Sequence, residues 1–263
     1  GLGVDVGDLP DYASSNDAGT AVLLAAMARA GVKRLTLASS MVVYGEGFAR
    51  CEEHGAVRPP PRSAEAMAAG SFEPFCPSCG RELAPALVDE GTPFDPRNAY
   101  AISKVAQEYY ATTWAHATGA SVAALRYHNV YGPGMPRDTP YAGVAAIFTS
   151  ALRRGDAPQV FEDGRQRRDF VHVSDVVRAL DVMLRSSANG AWNVGTGTMT
   201  TVNALLREME TIFGSATAVE HVPSRPGDVF QSCVAIETIA HDLGWTPSVA
   251  LAAGLRTLTA PVP

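Results

Sequence analysis

Helix and strand signals alternate along almost the whole chain, and this alternation restricts the possible folds more than any other feature. Apolar periodicity predicts helices at residues 16–31, 98–119, 141–155, 173–187 and 201–214. Short apolar segments predict strands at 33–40 and 121–127, with further short strands in "QVFED" and "AWNVG". Strands that alternate with helices of this length form βαβ units. The sequence therefore predicts an α/β fold, a doubly wound and mostly parallel sheet.

The composition indicates a folded cytoplasmic protein that does not bind nucleic acid or membranes. Its 263 residues are 46% hydrophobic, enough for one large α/β domain or two modest ones. The net charge of -6 argues against a surface for nucleic acid or anionic lipid. The longest apolar runs fall short of the roughly 20 residues that a membrane span needs. Four unevenly spaced cysteines do not resemble a secreted disulfide scaffold.

A tyrosine and a lysine lie four residues apart in "NAYAISK", at the start of the second predicted helix. Residues i and i+4 share a helix face, so Lys104 can stand beside Tyr100. A nearby positive charge favours the phenolate and would lower the pKa of Tyr100 toward neutrality. Such a phenol could act as a general acid or base. Alternatively, Tyr100 packs in the fold and Lys104 is merely solvated.

Two hydroxyl groups end the predicted strand in "LASSMVVYG", at residues 37–45. Sheets of this class place their ligands at the carboxyl ends of the strands. Ser40 could therefore donate to a substrate oxygen that Tyr100 also holds. The alternative is a serine that only caps the next element.

Together these motifs resemble a known family. "SSMVVYG", Tyr-x3-Lys, "LRYHNVYGPG", "RRDFVHVSDV" and "RPGD" follow one another in the order of the extended short-chain dehydrogenase/reductases. More narrowly, the set resembles the NDP-sugar epimerase/dehydratase group. The resemblance implies a Rossmann-type NAD-binding domain in residues 1–130 and a smaller substrate-binding α/β lobe in 131–263. Some segments of that lobe would return to the Rossmann sheet.

The resemblance also implies roles for individual residues. In that family the matching positions are catalytic (Ser40, Tyr100 and Lys104), cofactor-binding (Asn16, Ser39, Ser40, Tyr100, Lys104 and His128) or substrate-binding (Asn129, Val160, Phe161, Arg168, Arg225 and Asp228). The implied cofactor is NAD, and the implied partner is a nucleotide-diphosphate sugar. Arginine suits the diphosphate because its planar fork binds phosphate through two hydrogen bonds.

Several of these assignments have structural alternatives. Arg168 could form a surface ion pair with Asp169, and His128 could be a purely structural residue. The segment "VFEDGRQ", which resembles the part of the family fold that lies along the nucleotide, could be a plain β-turn.

The residues after Ser40 narrow the reaction that the resemblance implies. Dehydratases of this group carry an Asp-Glu pair directly after the catalytic hydroxyl, and decarboxylases carry a Glu in the same region. Met41 and Val42 occupy these places here, and neither can exchange protons. Epimerisation by hydride transfer to NAD+ and back is therefore expected. The alternatives are an NADPH-dependent NDP-sugar reductase and a non-catalytic nucleotide-sugar-binding protein.

Residues 46–90 interrupt the alternation of helices and strands and are predicted to form an insertion rich in Pro, Gly, Cys and charged residues. Cys51 and His54 are separated by 21 residues from the pair Cys76 and Cys79. Four such ligands suit one tetrahedral structural zinc ion, which would stabilise a segment with little core of its own. Alternatively, these are two unrelated turns with reduced thiols, or Cys76 and Cys79 form a redox pair.

The insertion also bears on the substrate. Together with "DPRNAYAISK" and "YHNVYGPGMPRDTPYAGVA" it resembles the dTDP-L-rhamnose 4-epimerase subgroup, with UDP-glucose 4-epimerase as the alternative. The family further implies a homodimer in which the helices around residues 18–30 and 98–117 pack against their mates.

One family feature is not present. The G-x-x-G-x-x-G turn that holds the cofactor pyrophosphate at a helix N-terminus does not occur. Residues 1–7 contain clustered glycines, but they are followed by "DLPDY" and are predicted to form a loop. We expect roughly 70–90 residues of the NAD-binding half to be missing, the size of two to three βαβ units.

Overall fold

The computed structural model describes residues 6–139, 142–215, 217–223 and 228–260. Its α-helices are α1 (Leu9–Tyr12), α2 (Gly19–Arg29), α3 (Ala64–Ala68), α4 (Ala99–Thr118), α5 (Val144–Arg154), α6 (Val173–Arg185), α7 (Val202–Phe213), α8 (Glu237–Leu243) and α9 (Leu251–Arg256). Its strands are β1 (Arg34–Ser40), β2 (Ala49–Cys51), β3 (Gly55–Val57), β4 (Ala84–Pro85), β5 (Ser121–Tyr127), β6 (Asn129–Tyr131), β7 (Gln159–Phe161), β8 (Arg167–Arg168), β9 (Phe170–His172), β10 (Gly190–Val194), β11 (Thr200–Thr201), β12 (Glu220–Val222) and β13 (Gln231–Ser232).

The central sheet is parallel and has the order β1-β5-β10. Its register aligns Ser40 with Tyr127, and Tyr127 with Val194, so the three strands end at one edge. Helices cover both faces. On one face, α2 and α4 pack on Val122 of β5. On the other, α6 and α8 pack on Leu125 of β5, which has the opposite orientation because side chains alternate along a strand. The predicted doubly wound α/β fold is confirmed.

A second core lies in the C-terminal half. Its large buried side chains are Tyr131, Phe148, Leu152, Val160, Leu205, Met209 and Leu255, which come mainly from α5, α7 and α9. Short strand pairs surround it: β6 with β9, β7 with β12, and β8 between β11 and β13. Strand β10 nevertheless belongs to the central sheet, as expected for a segment that returns to it.

Helix ends follow local sequence signals. The side chain of Asn98 accepts a hydrogen bond from the Ala101 N–H at 2.8 Å and so caps the start of α4. Gly119 ends this helix in the left-handed conformation at φ 65°, which glycine adopts without steric cost.

The N-terminal segment differs from its prediction. No helix is predicted directly after residues 1–7, yet "DLPDY" is helical: a 3-10 turn at Val6–Asp8 leads into α1 and then through a π-helical turn at Ala13–Ala18 into α2. Pro10 lies in the first turn of α1, where the missing N–H has no helical acceptor to lose. A proline therefore did not exclude a helix here. The glycines of residues 1–5 lie outside the described residues.

The insertion forms a small antiparallel sheet of the order β3-β2-β4. Its core is limited to Ala49, Cys51, Cys76 and Leu83, so two of its four main buried residues are predicted metal ligands. Across the described part of the chain, the helices are too short or too polar to traverse a lipid bilayer.

Candidate active site

The structure brings Ser40, Tyr100 and Lys104 together at the carboxyl end of β1. Ser40 is the last residue of the strand, and its hydroxyl is close enough to the Tyr100 phenol to lower the phenol's pKa. The Nζ atom of Lys104 lies 5.7 Å from the centre of the Tyr100 ring and donates to the Ala38 carbonyl at 3.0 Å. The Ser40 hydroxyl also accepts from the Val42 N–H at 3.4 Å. The serine thus caps the following turn and faces the tyrosine at once.

The pKa of Tyr100 shifts in the direction opposite to the one expected from the sequence. Burial raises the pKa of the phenol above its usual value, and the neighbouring Ser40 hydroxyl only partly opposes this effect. Burial also lowers the pKa of Lys104. The expectation that Lys104 lowers the pKa of Tyr100 toward neutrality is therefore wrong for the protein chain by itself. Removing both groups from water disfavours both charged forms.

Asn16 and Ser39 take part in contacts within the protein. The Asn16 amide donates to the Ser103 hydroxyl at 2.8 Å and so joins the π-helical turn to α4 beside Lys104. The Ser39 hydroxyl donates to the carboxylate of Glu108, which forms a buried ion pair with Arg126 at 2.7 Å. The Ser39 side chain therefore belongs to this buried network.

His128 is a buried, uncharged residue directly after β5. Its ring nitrogens form no hydrogen bond of normal geometry in the part of the chain that the structure describes, although the Ser232 backbone lies close enough to oppose the effect of burial on the imidazole pKa. Burial lowers the pKa of the imidazole to about 3, which keeps it neutral. Its backbone N–H donates to the Val194 carbonyl at 3.0 Å, so this N–H is already used by the fold.

Asn129 lies beside Met41, the residue that stands where dehydratases carry an acid. The Asn129 amide approaches the Met41 sulfur at 3.5 Å and donates to the Asp169 carbonyl at 3.3 Å. The Ser232 hydroxyl approaches the same sulfur at 2.8 Å. Asn129 also borders a cavity of about 270 Å³ that Tyr131, Gly143, Val144 and Phe170 help to line. A thioether thus lies between Asn129 and Ser40, at the predicted sugar side of the site.

Arg168 does not form the ion pair with Asp169 that the sequence left open. The Asp169 carboxylate instead accepts hydrogen bonds from Thr196 and from the Gly197 N–H, at 2.7 and 2.8 Å. The half-buried guanidinium of Arg168 donates to the carbonyls of Val229 and Phe230, at 2.8 and 3.1 Å. Burial lowers its pKa, while Asp228 and Glu46 favour its charged form. Backbone carbonyls therefore hold the positively charged Arg168 in place, and the Asp169 carboxylate binds Thr196 and Gly197 instead.

The remaining predicted substrate residues are placed differently from one another. Val160 is 1% exposed, and its side chain belongs to the second core. Phe161 ends β7, and a tight turn with Gly164 at φ 73° follows, so the segment does contain the β-turn considered as the alternative. The carbonyl of Asp228 accepts a hydrogen bond from Arg62 at 2.8 Å. Arg225 lies outside the described residues.

The four predicted metal ligands form one cluster. The ligand atoms of Cys51, His54, Cys76 and Cys79 all lie within 4.8 Å of one another. The Cys51 sulfur is 3.5 Å from His54 Nδ1 and 3.6 Å from the Cys79 sulfur. All three cysteines are free thiols. The alternative of two unrelated turns does not describe this arrangement, whereas free thiols at Cys76 and Cys79 also fit the reduced form of a redox pair.

Local sequence patterns do not single out Arg62 or Glu46. The side chain of Arg62 is only 6% exposed, and Glu46 is 4% exposed. Both belong to the insertion yet contact the C-terminal half. A charged residue in a Pro-rich segment normally stays solvated, so the local signal for Arg62 in "RPPPRS" is weak.

Comparison with known proteins identifies the family. Residues 2–195 match the model of the NAD dependent epimerase/dehydratase family. The dTDP-L-rhamnose 4-epimerase of Burkholderia thailandensis is 29% identical over 262 residues, which are 98% of this chain and 71% of that protein. The UDP-glucose 4-epimerase of Mycolicibacterium smegmatis is 37% identical over 170 residues, 63% of this chain and 53% of that protein.

A solved structure agrees with this result. The UDP-glucose 4-epimerase of Thermus thermophilus, in complex with NAD, superposes with a TM-score of 0.76 at 29% identity. The match covers 98% of this chain and 74% of that one. The homologues and structural neighbours named as nucleotide-sugar 4-epimerases are isomerases. With its fold, its Ser40–Tyr100–Lys104 cluster and a family match over most of its length, the chain belongs to the NAD-dependent epimerase/dehydratase family.

Proposed function

We propose that the protein is an NAD-dependent NDP-sugar 4-epimerase that acts on a dTDP-hexose, namely dTDP-L-rhamnose. The observation that carries this proposal is the meeting of Ser40, Tyr100 and Lys104 beside Met41. The hydroxyl, phenol and ammonium groups together can catalyse proton transfer at a sugar hydroxyl. The thioether supplies no acid for the elimination of water, which disfavours a dehydratase.

The residues at the end of β1 fit the nicotinamide ribose of NAD. Lys104 is half-buried and has an ammonium group with three donors, of which one is directed to the Ala38 carbonyl. The imidazole of His128, which directly follows the residue paired with Ser40, offers a further polar group at the same edge of the sheet. When bound, NAD+ would supply reversible hydride transfer at the sugar C4, and its positive ring would favour a neighbouring phenolate.

The chain's own residues supply binding and proton transfer. The phenolate of Tyr100 removes the proton from the sugar 4-hydroxyl and later returns it, and the hydroxyl of Ser40 hydrogen-bonds the same oxygen. Lys104 holds the cofactor ribose and adds positive charge near the phenol. Asn129 and Arg168 bind the diphosphate, with Arg225 as a further predicted contact. In this proposal, residues 1–130 form the domain that binds NAD, and residues 131–263 mainly form the lobe that binds the nucleotide sugar.

The choice of dTDP-L-rhamnose rests on a relative of that name whose match covers 98% of this chain. UDP-glucose is the second candidate, because the Mycolicibacterium relative named for it is more similar over the region that it shares. The Mycolicibacterium protein is 37% identical over 170 residues, whereas the Burkholderia protein is 29% identical over 262 residues.

The cluster of Cys51, His54, Cys76 and Cys79 is proposed to bind one structural zinc ion. Three thiols and one imidazole in mutual contact are a typical tetrahedral zinc set. With all four positions filled by protein, the ion would have no open coordination site for catalysis. Its contribution would be to stabilise an insertion whose own apolar core is very small.

The substrate is tested by following the sugar itself. The complete protein is incubated with dTDP-L-rhamnose and catalytic NAD+, and proton NMR reports the configuration at C4. A second dTDP-hexose that accumulates at constant NAD+ supports the proposal. Turnover of UDP-glucose instead would keep the mechanism and change the substrate, while no turnover of any nucleotide sugar would reject the 4-epimerase.

A further inference from the structure

Arg62 of the insertion is buried against the part of the fold that is predicted to hold the nucleotide. Its guanidinium donates to both carboxylate oxygens of Glu162, each at 2.9 Å, and to the carbonyl of Asp228 at 2.8 Å. Its central carbon lies 5.5 Å from the centre of the Phe230 ring. Glu162 directly follows Phe161, and Asp228 is a predicted substrate residue. One side chain therefore joins the two segments that are expected to flank the ligand.

Two acidic residues of the insertion reinforce this connection. The buried carboxylate of Glu46 accepts hydrogen bonds from the Phe230 N–H at 3.0 and 2.9 Å, and lies 3.8 Å from Arg62. The carboxylate of Glu73 pairs with Arg165 at 3.2 Å and with Arg167 at 3.8 Å. Arg167 precedes Arg168, the predicted diphosphate ligand. The insertion is thus attached to the substrate side by several charged contacts.

The position of Arg62 in the chain links these contacts to the metal cluster. Arg62 lies in residues 55–75, between the ligand pair Cys51 and His54 and the pair Cys76 and Cys79. The only regular elements in that interval are β3 and the short helix α3, and the small core of the insertion consists largely of the ligands themselves. The four ligands, together with the pairing of β2 with β3 and β4, bring the two ends of this loop close to each other. A metal ion there would hold both ends of the segment that carries Arg62.

We infer that Arg62 is a positioning residue for the nucleotide-sugar pocket and that the metal cluster keeps it in place. Metal occupancy would then set the affinity for the nucleotide sugar and leave NAD binding unchanged, since Ser40, Tyr100 and Lys104 lie on elements outside the loop. The inference rests on the proposed function for the identity of the ligand. Arginine is required because only its planar fork can serve Glu162 and the Asp228 carbonyl at once.

The first experiment is independent of any ligand. Hydrogen–deuterium exchange of the complete protein is compared for wild type, Arg62→Met and wild type stripped with a zinc chelator. We expect faster exchange at residues 159–168 and 228–232 in both altered samples and unchanged exchange in α4. Arg62→Met in stripped protein should add little to the effect of stripping. Unchanged exchange in Arg62→Met would overturn the inference, and faster exchange in that variant but not after stripping would overturn the role of the metal.

The second experiment measures dTDP and NAD binding by titration calorimetry. Arg62→Met and metal removal should each raise the dissociation constant for dTDP about tenfold, as for the loss of one charge-assisted hydrogen bond, with NAD affinity unchanged. Unchanged dTDP affinity would overturn the positioning role. If wild type binds neither dTDP nor UDP, the proposed function fails. The exchange experiment then still decides whether Arg62 and the metal cluster order residues 159–168 and 228–232.

Two further variants guard against misfolding and non-specific effects. Arg62→Lys keeps the charge beside Glu46 and Glu162 but loses the fork, so it should fold and still weaken dTDP binding. Arg58→Met is the matched control, because Arg58 lies on the same loop but donates to the carbonyls of Pro93 and Phe94 instead of the substrate side. An Arg58→Met effect as large as that of Arg62→Met would contradict a specific role for Arg62.

Discussion

At the residue scale, the behaviour of Tyr100 depends on its surroundings more than on its sequence neighbours. The spacing to Lys104 does place an ammonium near the phenol, 5.7 Å from the ring centre. Burial nevertheless raises the pKa of the phenol and lowers the pKa of the lysine. Spacing on a helix determines which groups are neighbours, whereas exposure to water determines which protonation states they prefer.

Tyr100→Phe should separate catalysis from binding. We expect kcat to fall by about 10²–10⁴-fold, because the variant loses the group that exchanges a proton with the sugar. Nucleotide-sugar affinity should stay unchanged, since the ring remains. NMR turnover and calorimetry measure the two quantities. Tyr110→Phe, an exposed tyrosine of the same helix, is the control and should keep wild-type turnover. Turnover by Tyr100→Phe at the wild-type rate would reject the assigned role.

His128 should make the stability of the protein dependent on pH. The pKa of the buried imidazole is about 3, below the value of about 6.5 in an unfolded chain. The folded state therefore excludes a proton that the unfolded state binds, and stability is lost as the pH falls below about 6.5. Between pH 7 and pH 5, His128 should lower the free energy of unfolding by about 2 kcal/mol.

Urea unfolding of wild type and His128→Gln at both pH values checks this effect. The difference between the two proteins isolates His128 from other titrating groups, including the metal ligands. The variant should lose less stability than wild type on acidification. An equal loss in both would show that His128 accepts a proton in the folded state.

At the element scale, the insertion illustrates how a segment with little apolar core can still have a defined structure. Its antiparallel strands are two or three residues long, and its core is built from Ala49, Leu83 and two of the cysteines. Burial of so few side chains contributes little free energy relative to the cost of ordering the chain. Ligand bonds to a metal ion can supply the remainder, and the charged contacts of Glu46, Arg62 and Glu73 attach the segment to the substrate side.

Zinc content tests the metal cluster directly. Wild-type protein should carry one zinc ion per chain, measured by inductively coupled plasma mass spectrometry. Cys79→Ser should lose it, with an affinity reduced by more than about 100-fold, because removal of a ligand exceeds the loss seen for outer-shell changes. Cys233→Ala, at a buried cysteine outside the cluster, should retain the metal. Retention of zinc by Cys79→Ser, or its loss from Cys233→Ala, would show that the ion is bound elsewhere.

At the scale of the whole molecule, the outer faces of two helices are candidates for a contact between subunits. Val22 and Leu23 on α2 are 68% and 53% exposed, and Tyr109 on α4 is 62% exposed. The opposite faces of these helices bury Leu24, Ala111 and Trp114 in the core on the sheet. Both helices are therefore apolar on two sides, and the outer sides fit the predicted homodimer through a four-helix bundle.

Light scattering coupled to size-exclusion chromatography tests this interface. We expect wild type to be a dimer and Leu23→Glu to be a monomer, because the substitution buries an unpaired carboxylate in an apolar contact. The control is Leu184→Glu at an exposed leucine of α6, which should remain dimeric. A monomeric wild type at micromolar concentration, or dissociation by Leu184→Glu only, would contradict the proposed interface.

Much of the architecture could be predicted from local patterns in the sequence. The strand at residues 121–127 and the helix that Asn98 caps and Gly119 ends were found at their predicted positions, because apolar period, caps and glycine stops act over a few residues. The clustering of Ser40 with Tyr100 followed from the rule that ligands lie at the carboxyl ends of parallel strands. The grouping of Cys51, His54, Cys76 and Cys79 followed from ligand spacing.

The burial of side chains, their long-range partners and their pKa shifts were decided only by the tertiary structure. The burial of Val160, the engagement of Ser39 by Glu108, the direction of the Tyr100 pKa shift and the position of Arg62 all depend on residues distant in the chain. Desolvation and long-range ion pairs arise from the complete packing of the molecule, and local sequence patterns carry no record of them. The sequence by itself therefore determined which chemical groups the protein has and on which elements they lie. Tertiary packing determined which of them meet, and in which protonation state.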